Sequence, residues 1–183
     1  MIKKILIGVG ALVLLFVLYS VYALFIATPK SPPGTAEYSD QGVEITINYS
    51  RPYKKGRLIF GEEADGALQP YGEYWRLGAN AATEISLSKD ILFAGKPLSA
   101  GTYRMSAVPG PKAFKINLNS ELEVFFAVGE PDPELDVLSV DAPVTPQDNE
   151  TEMFTISFSN DPEVIMMNFV WDKTLFSVPI TVQ

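Results

Sequence analysis

Residues 43–49 read Val-Glu-Ile-Thr-Ile-Asn-Tyr, and this stretch sets the pattern that most of the chain follows. The apolar side chains occupy the odd-numbered positions, and Glu44, Thr46 and Asn48 lie between them. Because successive side chains of a strand point to opposite faces, this alternation indicates one face in a core and one in solvent. The stretch therefore predicts a half-buried β-strand.

Short apolar or alternating segments continue from here to the C-terminus. They cover residues 83–88, 91–93, 102–108, 113–118, 122–128, 135–140, 153–158, 164–171 and 175–182. Turn-forming residues separate most of them, as at 94–101 (AGKPLSAG) and 172–173 (DK). No segment after residue 27 keeps the 3.6-residue apolar repeat of a helix. The pattern predicts an all-β domain, an antiparallel β-sandwich or jelly-roll-like barrel of about ten strands.

Two of the predicted strands are apolar on both faces, namely residues 122–128 (LEVFFAV) and 164–171 (VIMMNFVW). Such a strand is either central and covered on both sides, or it leaves one face exposed to a partner. Met166 and Met167 suit an adaptable partner contact, although methionine also fills gaps in cores. Both interpretations stay open at the level of sequence.

Residues 5–27 form an uncharged apolar run of twenty-three residues near the N-terminus. A helix of this length covers about 35 Å, which is enough to cross a bilayer. A cleaved signal peptide is the alternative, but its apolar core is shorter, and Ala23 and Ala27 are poor cleavage positions. We therefore expect a retained transmembrane helix over residues 5–27. Lys3 and Lys4 predict that residues 1–4 are cytoplasmic.

The remaining chain is predicted to be extracytoplasmic, in a bacterium periplasmic, and bound to the cytoplasmic membrane by this single span. Residues 28–36 are rich in proline and are predicted to be a short, stiff spacer. Residues 37–183 then form one domain of ordinary size. The lipid bilayer is accordingly the first expected partner, through residues 5–27.

The composition excludes several classes of function. Two of the 14 basic residues and none of the 22 acidic residues precede the span, so the rest of the chain carries a net charge of −10. An acidic domain of this kind is not expected to bind nucleic acid. Histidine and cysteine are both absent, which excludes disulfides, catalytic triads and imidazole or thiolate metal sites. We expect no cofactor and no metal, since Asp132, Glu134 and Asp136 also lack the glycine and glutamate of an EF-hand loop.

The stretch 49–83 breaks the alternation and is dense in Arg, Tyr, Gly and Pro. Arginine can fork onto a carboxylate or phosphate, and aromatic rings can stack on a sugar. The candidate ligand- or partner-binding residues are Arg51, Arg57, Tyr71, Trp75, Arg76 and Asn80. The competing interpretation is that Arg57 and Arg76 pair with acidic residues and pin an irregular loop. The acidic residues that it names are Glu62, Glu63, Glu73 and Glu84.

These segments resemble those of the DUF2911 family of bacterial envelope and secreted proteins. The resemblance rests on YSRP…KGRLIFG at residues 49–61, PYGEYWRLGANAAT at 70–83 and AGTYRMSAVPG at 100–110. It implies an all-β domain from about residue 37 onward and implies no activity. The chain departs from the family pattern at Ala81, where glutamate is common, and at Phe114, where tryptophan is usual.

The leading hypothesis is a membrane-anchored, non-enzymatic accessory or scaffold subunit that works by protein–protein contact in a membrane complex. An envelope binding module for an anionic or carbohydrate ligand is the alternative, through the arginines and aromatics of residues 49–83. A carboxylate-dependent hydrolase is the second alternative, because acid–base catalysis by carboxylates needs neither histidine nor cysteine.

Overall fold

A computed structural model describes residues 2–23, 30–122, 124, 127–160 and 164–182. The chain divides after Lys30 into an N-terminal unit and a β-domain. Within residues 122–128, the positions 123, 125 and 126 lie outside the described part.

The N-terminal unit is one helix, α1, at Ile2–Val21. It is long and apolar enough to span a membrane or to serve as a signal sequence. Twenty residues rise about 30 Å, the thickness of a hydrocarbon core. The helix begins earlier than the predicted span, since Lys3 and Lys4 belong to it, and residues 24–29 of the predicted span and spacer lie outside the described residues.

The β-domain contains eleven strands in its described part. They are β1 (Pro33–Asp40), β2 (Val43–Ser50), β3 (Phe60–Gly61), β4 (Gln69–Pro70), β5 (Thr83–Leu87), β6 (Ile91–Phe93), β7 (Lys96–Leu98), β8 (Gly101–Val108), β9 (Ala113–Asn119), β10 (Asp136–Asn160) and β11 (Ile165–Val182). Two 3-10 turns lie at Glu63–Asp65 and Pro133–Leu135. The all-β prediction is confirmed, as is the prediction of about ten strands.

Nine of the described strands form one sheet in the order β1-β2-β5-β8-β9-β10-β11-β6-β7, with antiparallel neighbours throughout. The short strands β3 and β4 pair in parallel beside it. The first part of β10 pairs with β9 up to Pro143, and from Val144 the strand pairs with β11. The sheet therefore folds over at β10. The part of β10 up to Pro143 lies in the first layer with β1, β2, β5, β8 and β9, and the rest of β10 forms the second layer with β11, β6 and β7.

Rings from the two layers meet in the core. Phe114 of β9 stacks on Phe176 of β11 with centroids 4.3 Å apart, and Tyr49 of β2 meets Phe154 of β10 edge-on at 5.6 Å. The inward positions of β2, β5 and β11 are almost fully buried, as the alternating pattern predicts. Burial of this apolar surface is the main stabilising term of a domain that has no disulfide.

Several predicted boundaries are wrong. Residues 136–140 and 153–158 belong to the single strand β10, and 165–171 and 175–182 belong to β11. The residues at 172–173 do not reverse the chain, because the ladder with β10 continues on both sides of Asp172, whose φ is 54°; the extra residues of the irregular register lie on β10. The predicted turn at 94–101 contains β7, which pairs with β6.

Two further segments differ from prediction. The described residues of 122–128 lie outside any strand, although a strand is predicted there. The spacer predicted through residue 36 ends earlier, because β1 begins at Pro33. A proline is tolerated at the first residue of an edge strand, where its missing N–H breaks no ladder bond.

Candidate functional site

Trp75, predicted to stack on a ligand, is instead buried in the core. Its side chain is 2% exposed, it stacks on Trp171 at 5.8 Å, and its indole Nε1 donates to the carbonyl oxygen of Gly78 at 3.2 Å. Its backbone also bridges to Ala107 of β8. In this structure the residue offers no surface to a ligand, and the prediction for it is wrong.

Arg51 and Arg57 direct their guanidinium groups at the protein's own backbone. Arg51 donates to the carbonyl oxygen of Phe154 and, at 2.9 Å, to the hydroxyl of Thr155. Arg57 donates to the carbonyl oxygens of Tyr53 and Lys54. Arg57 therefore pins the irregular loop, as the competing interpretation expects, but through carbonyl oxygens and not through the glutamates named in it.

Arg76 and Asn80 lie at the end of the same irregular stretch. Arg76 donates to the carbonyl oxygen of Asn80 at 3.2 Å, and the Asn80 amide donates to the carbonyl oxygen of Ser31. Gly78 makes this path feasible, because a Cβ there would lie 2.8 Å from the carbonyl oxygen of Ser50. Tyr71 is partly buried against the core. The polar groups named here join the loop to the start of β1 and the end of β2.

The two methionines of β11 differ in exposure. Met167 is fully buried, so the partner contact predicted for it has no surface in this structure. Met166 points the other way and is half-buried. A contact through Met166 stays a prediction.

A row of polar residues crosses the outer face of the first layer. Cross-strand partners in register share a face of a sheet, so a register row identifies side chains that lie side by side. Reading the register from strand to strand gives Thr35, Asn48, Glu84, Arg104, Asn119 and Asp136. The row spans six strands, and one half of it is covered by protein.

Arg104 is the centre of the covered half. It is 2% exposed, and its Nη1 lies 2.5 Å from a carboxylate oxygen of Glu121. Its Nη2 donates to the Tyr74 hydroxyl at 2.9 Å and to the carbonyl oxygen of Gly129 at 2.8 Å. Because an unpaired buried cation is costly, these contacts hold the segment after β9 against the outer face.

Asn119 extends the same cluster. Its amide donates at 2.8 Å both to the carbonyl oxygen of Asp132 and to the carboxylate of Asp136. The side chain of Asp132 accepts from the backbone N–H of Glu134. These acids are therefore used in capping and in the cluster, and the described residues contain no group of three acids placed to hold a metal ion.

The uncovered half of the row forms the floor of an open groove of about 460 Å³. Thr35, Asn48 and Glu84 line it, with Ala81 and Ala82 from the irregular stretch and Val124 from the segment after β9. This volume lies within the range of small-molecule sites. Ala81, where the chain departs from the family pattern it resembles, is thus a groove residue.

The polar groups of the groove retain hydrogen-bonding capacity. The Thr35 hydroxyl donates to the Asn48 side-chain oxygen at 3.2 Å, and the amide nitrogen of Asn48 has no partner among the described residues. Glu84 is half-buried, and none of the ion pairs and hydrogen bonds between described residues includes its carboxylate. The arrangement can bind a polar ligand through unused donors and acceptors.

A second polar cluster lies at Lys54. Its ammonium group is 2.8 Å from Asp172 and 2.7 Å from Glu150. Hydrogen bonds to Asp172 and then Glu150 raise the pKa of Lys54 above its usual value. The two carboxylates thus share one lysine, which favours a structural role beside the irregular pairing of β10 with β11 over acid–base catalysis.

Sequence reasoning missed the groove and Arg104. Thr35, Asn48 and Glu84 occupy ordinary outward positions of alternating strands, and their proximity depends on the pairing of β2 with β5 across 32 intervening residues. The alternation of β8 does place Arg104 on the outer face, but only the packing of the later segment buries it.

Residues 31–180 match a family model described as "Protein of unknown function (DUF2911)". No curated protein and no solved structure matches the chain.

Proposed function

Because the chain belongs to the DUF2911 family, whose function is unknown, we propose from its geometry that it is a non-enzymatic binding module. The binding site is the groove on the outer face of β1, β2 and β5. The observation that carries this proposal is the unused hydrogen-bonding capacity of Asn48 and Glu84 on the groove floor. A ligand that replaces water there with matched hydrogen bonds gains affinity and orientation.

The described arginines do not support an anionic ligand. Arg51 lies against the inner face of β1, since a Cβ on Gly34 would meet its Cδ, and its guanidinium donates to Phe154 and Thr155 of β10. Arg104, the register neighbour of Glu84, is bound to Glu121. We therefore propose that the groove binds a polar ligand with hydroxyl or amino groups, and not the anionic ligand that the sequence suggests.

Asn48→Ala tests this function, because it removes the free amide from the groove floor without touching the core. Thr46→Ala is the matched control, since Thr46 lies on the same strand and face but outside the groove. In a screen of immobilised oligosaccharides, wild type and Thr46→Ala should bind the same ligand and Asn48→Ala should bind at least about tenfold more weakly. Equal binding by all three proteins would refute the groove as the site.

The proposal includes attachment to the cytoplasmic membrane through α1, with the N-terminus in the cytoplasm and the β-domain outside. The length and composition of α1 and the two lysines at its start support it. The mature polypeptide isolated from membranes should begin at Met1 and resist alkaline carbonate extraction. A mature N-terminus after Ala23, measured by mass spectrometry, would show a cleaved signal sequence instead.

A second candidate function is the accessory subunit that acts by protein contact. Exposed apolar side chains in the segment after β9 and at the start of β10 favour it, namely Leu122, Val128, Leu135 and Val137. Val128→Asp and Val137→Asp should then release the protein from a larger membrane complex in native gels. Leu58→Asp, at an exposed apolar residue elsewhere, should leave the complex intact. Unchanged mobility of all variants would remove this candidate.

A further inference from the structure

Glu84 is the one charged side chain among the described residues that line the groove. It is half-buried on the groove floor, and its register neighbours are Asn48 and Arg104. The adjacent cation, Arg104, already faces Glu121 at 2.5 Å. The charge of Glu84 is therefore not matched by a described protein cation.

A ligand that covers Glu84 must compensate the negative charge of its carboxylate. Covering a carboxylate with uncharged groups removes water without returning an equivalent interaction, which is unfavourable. An anionic ligand would add repulsion in a domain that already carries excess negative charge. An ammonium group removes both problems, because it donates charge-assisted hydrogen bonds to the carboxylate.

The other two polar groups of the groove floor require that the ligand also accepts and donates hydrogen bonds. The Asn48 amide nitrogen is a free donor, and the Thr35 hydroxyl oxygen keeps acceptor capacity while it donates to Asn48. Both lie next to Glu84 along the register row, Asn48 directly and Thr35 one strand further. Strands are about 4.8 Å apart, so the three groups cover roughly 10 Å, the length of one or two sugar rings.

We propose that the groove binds a polyhydroxylated amine, an amino sugar in chemical class, with its ammonium group on Glu84 and its hydroxyl groups on Asn48 and Thr35. This assignment rests on the proposed binding function of the groove. Beyond that function, the assignment states that the groove selects ligands by their positive charge.

Two probes with one skeleton test the assignment. The trimer of glucosamine carries ammonium groups, whereas the trimer of N-acetylglucosamine has the same ring linkage without them. The full-length protein in lipid nanodiscs should bind the amine trimer at least about tenfold more tightly than the acetylated trimer, measured by calorimetry. Raising the salt concentration should weaken binding of the amine trimer alone.

Glu84→Gln keeps the side-chain shape and removes the charge. It should lower affinity for the amine trimer about tenfold or more and leave the acetylated trimer unaffected. Ala81→Glu places a second carboxylate at an exposed groove position and should raise affinity for the amine trimer several-fold. Glu37→Gln, on the outer face of β1 but outside the groove, is the control for general attraction to an acidic domain.

These measurements distinguish failure of the amine assignment from failure of the groove as a binding site. Equal affinity for both trimers, lost in Asn48→Ala but unchanged in Glu84→Gln, would overturn the amine assignment and leave the binding function standing. An equal loss in Glu37→Gln and Glu84→Gln would show general charge attraction and also overturn the assignment. Absence of binding of either trimer to the wild type and Ala81→Glu proteins would count against the groove function itself.

Discussion

Arg104 links three parts of the chain through one guanidinium group. Its partners are Glu121, the Tyr74 hydroxyl and the carbonyl oxygen of Gly129. A planar fork serves such divergent acceptors, whereas the ammonium group of lysine is a single point of charge. The identity of residue 104 therefore affects the segment after β9 and, through Val124, one wall of the groove.

Arg104→Lys should lower the unfolding free energy by about 1–3 kcal/mol, because the half-buried Tyr74 hydroxyl and the carbonyl oxygen of Gly129 lose a charged donor that is itself buried. The cost stays below that of a fully buried ion pair, since the Glu121 side chain is 35% exposed. Denaturant unfolding followed by tryptophan fluorescence measures it cleanly, because both tryptophans, Trp75 and Trp171, are buried in the β-domain. Arg57→Lys, at an exposed arginine that also binds two acceptors, should cost less than about 0.5 kcal/mol. Equal costs would contradict the role of Arg104.

Tyr38 provides a second test at the residue scale. Its hydroxyl is buried without a partner among the described residues, and its ring meets Phe158 at 5.8 Å. Burial, with a smaller effect of Asp40, raises the pKa of Tyr38 above 10.0. Because the folded-state pKa is the higher one, the stabilising contribution is complete below pH 10 and is lost as pH rises through the folded-state value.

Tyr38→Phe removes both the unpaired hydroxyl and this titration. At pH 7 its unfolding free energy should equal that of the wild type or exceed it by up to about 1 kcal/mol. Above pH 10 the advantage of the variant should grow. The raised pKa of Lys54 makes both proteins less stable in this range, but it cancels in the comparison. A variant that loses stability faster than the wild type above pH 10 would contradict the account.

Individual residues also show which positions could be predicted from the sequence and which could not. Alternation correctly places Ile45 and Ile85 inside, because burial of a strand face depends only on local order. Alternation cannot show that Trp75 lies in the core, because the residues around it do not alternate between apolar and polar side chains. Nor does it assign Asn48 and Glu84 to a common groove, because that depends on which strands pair.

At the scale of elements, the β1–β2 hairpin is defined by its two-residue turn. Gln41 and Gly42 both have positive φ, 52° and 74°, as a type I′ turn requires. Glutamine is an uncommon first residue for this turn, whereas asparagine adopts the conformation readily. The turn fixes the register of β1, and that register places Thr35 beside Asn48.

Gln41→Asn should therefore raise the unfolding free energy by a few tenths of a kcal/mol to about 1 kcal/mol. Gly42→Ala should lower it by about 1 kcal/mol, because alanine is strained at this φ. The two variants, measured side by side by denaturant unfolding, have to shift the midpoint in opposite directions. A shift in the same direction would show that the turn does not control this hairpin.

The long strands show why element boundaries were harder to predict than element types. Pro143 and Pro146 lie within β10, where sequence rules predict a break. The strand continues because Pro143 lies where pairing changes from β9 to β11, and irregular register follows Pro146. The same residues that suggest turns thus produce a bend, and the bend creates the second layer.

At the scale of the whole molecule, the polar register row has two roles. Its covered half, at Arg104 and Asn119, fixes the segment after β9 to the sheet. Its uncovered half, at Thr35, Asn48 and Glu84, is left for a ligand. The apolar helix α1 supplies the means of attachment to a membrane in the proposed function, and the acidic β-domain supplies the charge that favours a cationic ligand.

The most direct measurement of this central claim is an NMR titration of the isotope-labelled, full-length protein in nanodiscs with the glucosamine trimer. The account predicts saturable shifts of the Asn48 side-chain amide and of the backbone amides of Thr35, Ala81 and Glu84, and in Glu84→Gln the remaining shifts should need at least about tenfold more trimer to reach half of their maximum. Shifts confined to a distant region such as β7, or none at millimolar trimer, would contradict it.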